Sequence, residues 1–134
     1  VTTCLVTRLG RRGQRGSAVV DFTLALVILV PVFLGLVQVA LVLHVRSTLA
    51  SAASEGARLA ATADAGAAGG VARTRQQIAT ATGGGFVTSV TPRRTTIDGA
   101  PAVEIVVHAE VPALGLGGPA VAFDVSGRAV EEQP

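Results

Sequence analysis

Phe22 to Val45 is a 24-residue segment interrupted only by Thr23, Pro31, Gly35, Gln38 and His44, and a chain that carries it must bury it in something. As a helix rising about 1.5 Å per residue it reaches roughly 36 Å, enough to cross a hydrocarbon core of about 30 Å with some tilt. It exceeds the roughly 7–15 apolar residues of a secretory signal. A chain of 134 residues has little other apolar surface with which to wrap such a helix as the core of a soluble protein. A single membrane span over about 22–45 is therefore predicted.

The flanks orient it. Arg8, Arg11, Arg12 and Arg15 precede the segment, whereas only Arg46 and Arg58 follow it closely. An excess of basic residues marks the cytoplasmic side, which puts the N-terminus inside and residues 46–134 outside. Arg11-Arg12 lacks the apolar residue that should follow a twin-arginine export signal. The basic character of the chain belongs to this leader. Eleven arginines less the four before Ser17 leave seven against nine acids, a formal net charge of −2, so no basic nucleic-acid-binding face is expected on the folded part. The single cysteine, Cys4, excludes an internal disulfide.

At the mouth of the span stands a lone carboxylate, Asp21, preceded by Arg15-Gly16-Ser17-Ala18-Val19-Val20. An acid there costs free energy, so a partner or a role is expected for it; the plainer reading is a helix N-cap. Pro31 removes a backbone hydrogen bond and should loosen the helix around 27–31. Gln38 can hydrogen-bond between helices inside a bilayer.

The helical pattern continues through Ser47–Thr62. Ala50, Ala53, Ala57 and Ala60-Ala61 make a stripe of small residues that lets another helix approach, and Glu55 and Arg58 are spaced for an i, i+3 ion pair. A break is predicted over Asp64 to Gly70, then a short helix over Val71–Thr82, capped by Gly83-Gly84-Gly85. That triple glycine lacks the Lys-Ser/Thr of a phosphate loop. Three strands follow: Phe86–Thr91, interrupted or ended by Pro92; Ala102–Val111 after a turn at Asp98-Gly99; and, after a loop over Pro112–Pro119, Val121–Val130. Val103, Ile105, Val107, Ala109 and Val111 share an inward face with Val121, Phe123, Val125 and Ala129, while Glu104, His108 and Glu110 face the other way. So small a sheet needs a helix to cover it, either the second helix or the outer part of the first. The predicted fold is α+β and membrane-anchored, pilin-like in outline, with a basic leader at 1–16, a spanning helix and extension at 17–63, and a small extracytoplasmic domain at 64–134.

The Arg15–Phe22 block resembles the processing site of type IV pilin-like proteins of the tight-adherence (Flp) class. Together with the long helix, Ala52-Ala53-Ser54-Glu55-Gly56-Ala57-Arg58-Leu59-Ala60-Ala61 and a β-rich tail, it is similar to TadE-like minor pseudopilins. The resemblance implies cleavage between Gly16 and Ser17 by a membrane prepilin peptidase, roles for Asp21 and Phe22 in subunit assembly, and helix packing at Gln38, Glu55, Gly56 and Arg58. The implied partners are the prepilin peptidase, other pilin or pseudopilin subunits and the pilus assembly platform. Two positions depart from the family. Asp21 stands where Glu is usual, one methylene shorter, and Gln38 stands where many relatives carry an acid.

The chemistry fits independently. Cleavage would create an α-amino group at Ser17, one helical turn from Asp21, and a cation and a carboxylate in low dielectric attract strongly. No enzyme is expected: His44 and His108 have no companions at metal-ligand spacing, no catalytic set is visible, and neither a metal nor another cofactor is implied. Three readings remain, and each has its own cleavage position. A pseudopilin is cut after Gly16. An unprocessed single-pass envelope protein, whose outer domain binds a partner, is cut nowhere. A soluble exported domain is cut near Ala50, in Thr48-Leu49-Ala50-Ser51-Ala52.

Overall fold

The computed structural model describes residues 14–113 and 120–132. Most of the leader at 1–16 and most of the predicted 112–119 loop therefore lie outside the described residues. Helix α1 runs from Gln14 to Ala60, through Pro31 without ending, and helix α2 from Gly66 to Thr82. Strands β1 (Val87–Ile97), β2 (Ala100–Val111) and β3 (Val121–Val130) form an antiparallel meander in the order β1-β2-β3. The α+β architecture with one long apolar N-terminal helix is as expected.

The chain divides into two compact units, one ending at Val37 and one running from Gln38 onward. The described part of the first is bare helix. Phe22, Ile28, Leu29 and Phe33 are 64, 70, 61 and 63% exposed, as lipid-facing side chains would be in the absence of lipid.

The second unit has a packed core. Its helical side is Val45, Leu49, Ala52, Ala53, Ala57 and Ala60 from α1 and Ile78 from α2; its sheet side is Val90, Val103, Ile105, Val107, Ala109, Val111 and Val125. Both helices supply the cover that the sheet needs. Every other residue of β2 from Val103 to Val111 is buried on this face, as the alternation requires. Val121, expected inward, is 41% exposed. It pairs with Val111 in register but lies at the first position of an edge strand.

Two expected interruptions differ from the sequence reading. The break expected over Asp64 to Gly70 falls at 61–65, between the two helices, and Gly69 and Gly70 lie inside α2. A methyl group at Gly70 would overlap Ala60 and the carbonyl oxygen of Gly56, so this glycine serves a close helix crossing rather than a turn. Pro92 sits within β1, opposite Ile105. β1 is an edge strand, where a missing N–H is tolerated and where Arg93 and Arg94 discourage pairing with another sheet. Asp98 and Gly99 make the expected two-residue turn, both at positive φ (50° and 83°). Gly83 caps α2 in the left-handed region, and its N–H donates to the Ala79 carbonyl at 3.0 Å.

Candidate functional site along the first helix

The eight site residues implied by the resemblance, Gly16, Ser17, Asp21, Phe22, Gln38, Glu55, Gly56 and Arg58, all lie on α1. Ser17 and Asp21 are one turn apart and exposed, and the Ser17 hydroxyl reaches Asp21 Oδ2 at 3.5 Å. Phe22 is exposed beside them. The helix begins at Gln14, and its first turn contains no acid. Asp21 therefore does not cap α1 in the uncut chain; it becomes a first-turn residue only if the chain begins at Ser17. Gly16 falls within the helix, at a residue type that costs a helix interior about 0.5–1 kcal/mol relative to Ala.

Gln38 reaches the sheet. Its Nε2 donates to the Pro112 carbonyl at 3.2 Å, joining α1 to the end of β2. Glu55 makes its ion pair with Arg73 and not with Arg58. Its carboxylate accepts from Arg73 Nη2 at 2.9 Å and Arg73 Nε at 3.3 Å, and from Gln77 Nε2, so it ties α1 to α2. The Gln77 and Arg73 hydrogen bonds hold the Glu55 carboxyl below its ordinary value of 4.5. Arg58 is exposed in a shallow groove with Glu55, Leu59, Thr62 and Arg73. An i, i+3 pair gains a few tenths of a kcal/mol, whereas a fork-shaped guanidinium from a facing helix offers Glu55 two donors.

At Gly56 α1 and α2 approach closely. A methyl group there would overlap the Thr74 hydroxyl and crowd the Gly70 carbonyl. Thr74 is fully buried, and its Oγ1 donates to the Gly70 carbonyl at 2.9 Å and lies 3.4 Å from that of Ala52. Sequence reasoning missed Thr74 and Gly70; the i, i+4 spacing of two small residues facing Gly56 and Ala60 was the available signal. Gly127 was missed as well. A methyl group there would overlap the backbone of Ala53 and Ser54, so β3 lies directly against α1.

On the outer face of the sheet, Glu104 is 6% exposed and accepts from Arg128 Nε at 2.8 Å. That bond lowers the Glu104 carboxyl from 4.5, against the opposing effect of burial. His108 pairs with Asp124 on the same face. Among the described residues no three His, Cys, Asp or Glu side chains are grouped to hold a metal ion.

Among the described residues one bare helix is long and apolar enough to cross a membrane, and it continues into a small α+β domain, which suggests a single-pass membrane anchor. Residues 16–58 match the model of a family described as TadE-like protein. The match opens on Gly16, closes on Arg58 and spans all eight residues named above, so the family resemblance read from the sequence rests on the same stretch. The match covers 43 of the chain's 134 residues. No curated protein and no solved structure matches the chain.

Proposed function

We propose that the protein is a minor pseudopilin of a tight-adherence pilus or a related secretion machine, a structural subunit without catalytic activity of its own. Its leader is cytoplasmic and its α+β domain extracytoplasmic. A prepilin peptidase hydrolyses the Gly16–Ser17 amide, leaving a carboxylate on Gly16 and an amine on Ser17. The observation that carries this reading is the family match beginning at Gly16. Asp21, one turn from the new amine, fits it.

Gly16 is a weak point of an otherwise apolar helix, so a peptidase can unwind it locally to reach the bond. The α-amino group then stands beside Asp21 with little water, where opposite charges attract far more strongly than at a surface. The pair holds a subunit in axial register with its neighbours while the apolar helices pack. A free envelope protein released near Ala50 fits poorly. Leu49 and Val45 are at most 1% exposed, and a cut at Ala50 would strip both from the core.

The test is the mature N-terminus and intact mass of the protein from native membranes, with the prepilin peptidase present and deleted. A chain starting at Ser17 only when the peptidase is present is expected. An uncut chain in both strains would leave an unprocessed anchor whose domain binds a partner. Asp21→Ala should then insert and be cleaved but fail to crosslink to other subunits; undiminished crosslinking would remove the assembly role of the carboxylate.

A further inference from the structure

The domain is polarised along its strands. At the end carrying the β1–β2 turn lie Arg93, Arg94, Asp98, Glu131 and Glu132, with Glu131 and Glu132 tied by their N–H groups to the Pro101 and Ala61 carbonyls. At the opposite end, Val111, Pro112, Ala113, Ala120, Val121 and Ala122 carry no charge, and Pro112, Ala120, Val121 and Ala122 are exposed. We infer that the tip of this end, from Val111 to Ala113 and from Ala120 to Ala122, is a lipid-contacting surface that dips into the outer edge of the bilayer when the subunit is membrane-bound, with Glu110 above it at the level of the headgroups. The inference rests on the membrane-anchor reading and extends it from the helix to the domain.

The level of this end along α1 is set by Gln38, whose amide holds the Pro112 carbonyl. At the same height α1 has two apolar sides. Leu41, Val42 and Val45 pack on the core. Val39 and Leu43, 58 and 60% exposed, face away from it. If the hydrocarbon ended at Gln38, both would stand in water. From Phe22 to Leu43 the helix is about 33 Å long at 1.5 Å per residue, which matches a hydrocarbon core, and Arg46 then lies beyond it. Leu43 is five residues beyond Gln38, about 7–8 Å along the helix. A boundary that covers Leu43 therefore leaves Pro112 and Val121, level with Gln38, about 7–8 Å below it, among the outer acyl segments.

Two polar groups agree with this depth. The Gln38 amide and Pro112 carbonyl satisfy one another, which a site without bulk water demands. Glu110 is exposed on the outer face and pairs in register with Ala122; two residues along β2 from Pro112, about 7 Å, it stays among headgroups. Among the described residues this end has no basic side chain, so attraction to anionic lipid is not needed.

The test uses full-length protein with Cys4→Ser, reconstituted in phosphatidylcholine vesicles, with a nitroxide at Val121→Cys. Collision with oxygen, enriched in lipid, is compared with collision with a water-soluble nickel chelate. Leu29→Cys marks the span and Ser126→Cys the outer face of the sheet. The expected result is that Val121 favours oxygen over the chelate, as Leu29 does, while Ser126 shows the reverse. Val121 behaving like Ser126, with Leu29 in lipid, overturns the inference and leaves the anchor intact. Val121 shielded from both probes means a protein contact and overturns it too. Leu29 open to the chelate would overturn the anchor reading itself, and this inference with it.

Discussion

Up to Val37, α1 shows large side chains to its surroundings; from Ala52 to Ala60 the same helix buries small ones. Phe22, Leu29 and Phe33 are more than 60% exposed, while Ala53 and Ala57 are fully buried, following two larger core residues, Val45 and Leu49, that are at most 1% exposed. Both stretches are apolar, so hydrophobicity alone does not separate them. From Ala52 onward side-chain size does. Lipid tails adapt to any contour, so a lipid-facing helix gains from area and has no need of close approach. A helix laid against another backbone gains from what is missing at Gly56, Gly70 and Gly127.

The largest effect that can break this comparison is a matched truncation on its two sides. Leu49→Ala opens a cavity in the core and should cost about 2–5 kcal/mol. A unit of this size loses roughly 4–8 °C of melting temperature per kcal/mol. Leu29→Ala, which touches no core residue, should leave domain stability within about 0.5 kcal/mol. Thermal melts by far-ultraviolet circular dichroism in detergent micelles measure both. Equal losses would mean that the bare segment is packed against protein.

The glycines sharpen the same contrast. Gly70→Ala forces a methyl group into Ala60 and the Gly56 carbonyl, and should destabilise by about 1–3 kcal/mol. Nothing lies within 4 Å of a methyl group at Gly35, so Gly35→Ala should firm the helix by about 0.5–1 kcal/mol. Hydrogen exchange of the α1 amides reads both changes. A destabilising Gly35→Ala would reveal a close contact on the anchor.

Much of this contrast was legible in the sequence. The length of the apolar run gives the anchor, and the period-two alternation of Val103 to Val111 gives the inner face of β2. Asp98-Gly99 has the φ requirement of a hairpin turn written into its residue types. What was not legible depends on facing partners. Gly69-Gly70 reads as a break because glycine is poor in helices, and only the presence of Ala60 opposite shows why it is kept. Pro92 reads as a strand end because nothing in the chain before folding says that β1 is an edge. Along the candidate site, the positions of Ser17 and Asp21 were readable, but the partners of Glu55 and Gln38 were not. Nearest-neighbour spacing offers Arg58 to Glu55, while tertiary contact supplies Arg73 and Gln77 from residues 18 and 22 positions away.

Gln38 lies at the division between the two regions, and its replacement measures how firmly the domain is seated there. Gln38→Leu keeps the volume and removes the donor to the Pro112 carbonyl, for an expected loss of about 0.5–1.5 kcal/mol. The loss should appear as faster hydrogen exchange at the end of β2, with the span unchanged. A protein as stable as the parent would show that water or lipid headgroups satisfy that carbonyl equally well.

The smallest effect is electrostatic and belongs to the second region alone. Glu55 and Glu104 both have carboxyls lowered from 4.5, by hydrogen bonds from Gln77 and Arg73 in one case and from Arg128 in the other. A carboxylate whose folded value is depressed binds its proton less readily in the native state than in the unfolded chain. Its contribution is therefore fully present above the unfolded value and is lost as pH falls from about 4.5 through the lowered folded value. The domain should melt at a constant temperature between pH 6 and 7, on the scale of these two groups, and lose stability below about pH 4.5. Glu104→Gln should flatten that acid limb more than Glu55→Gln, because Glu104 is buried between strands and Glu55 is half in solvent, where water and salt screen its pair with Arg73. The reverse order would mean that the α1–α2 crossing, and not the sheet, is the first part of the domain to open in acid.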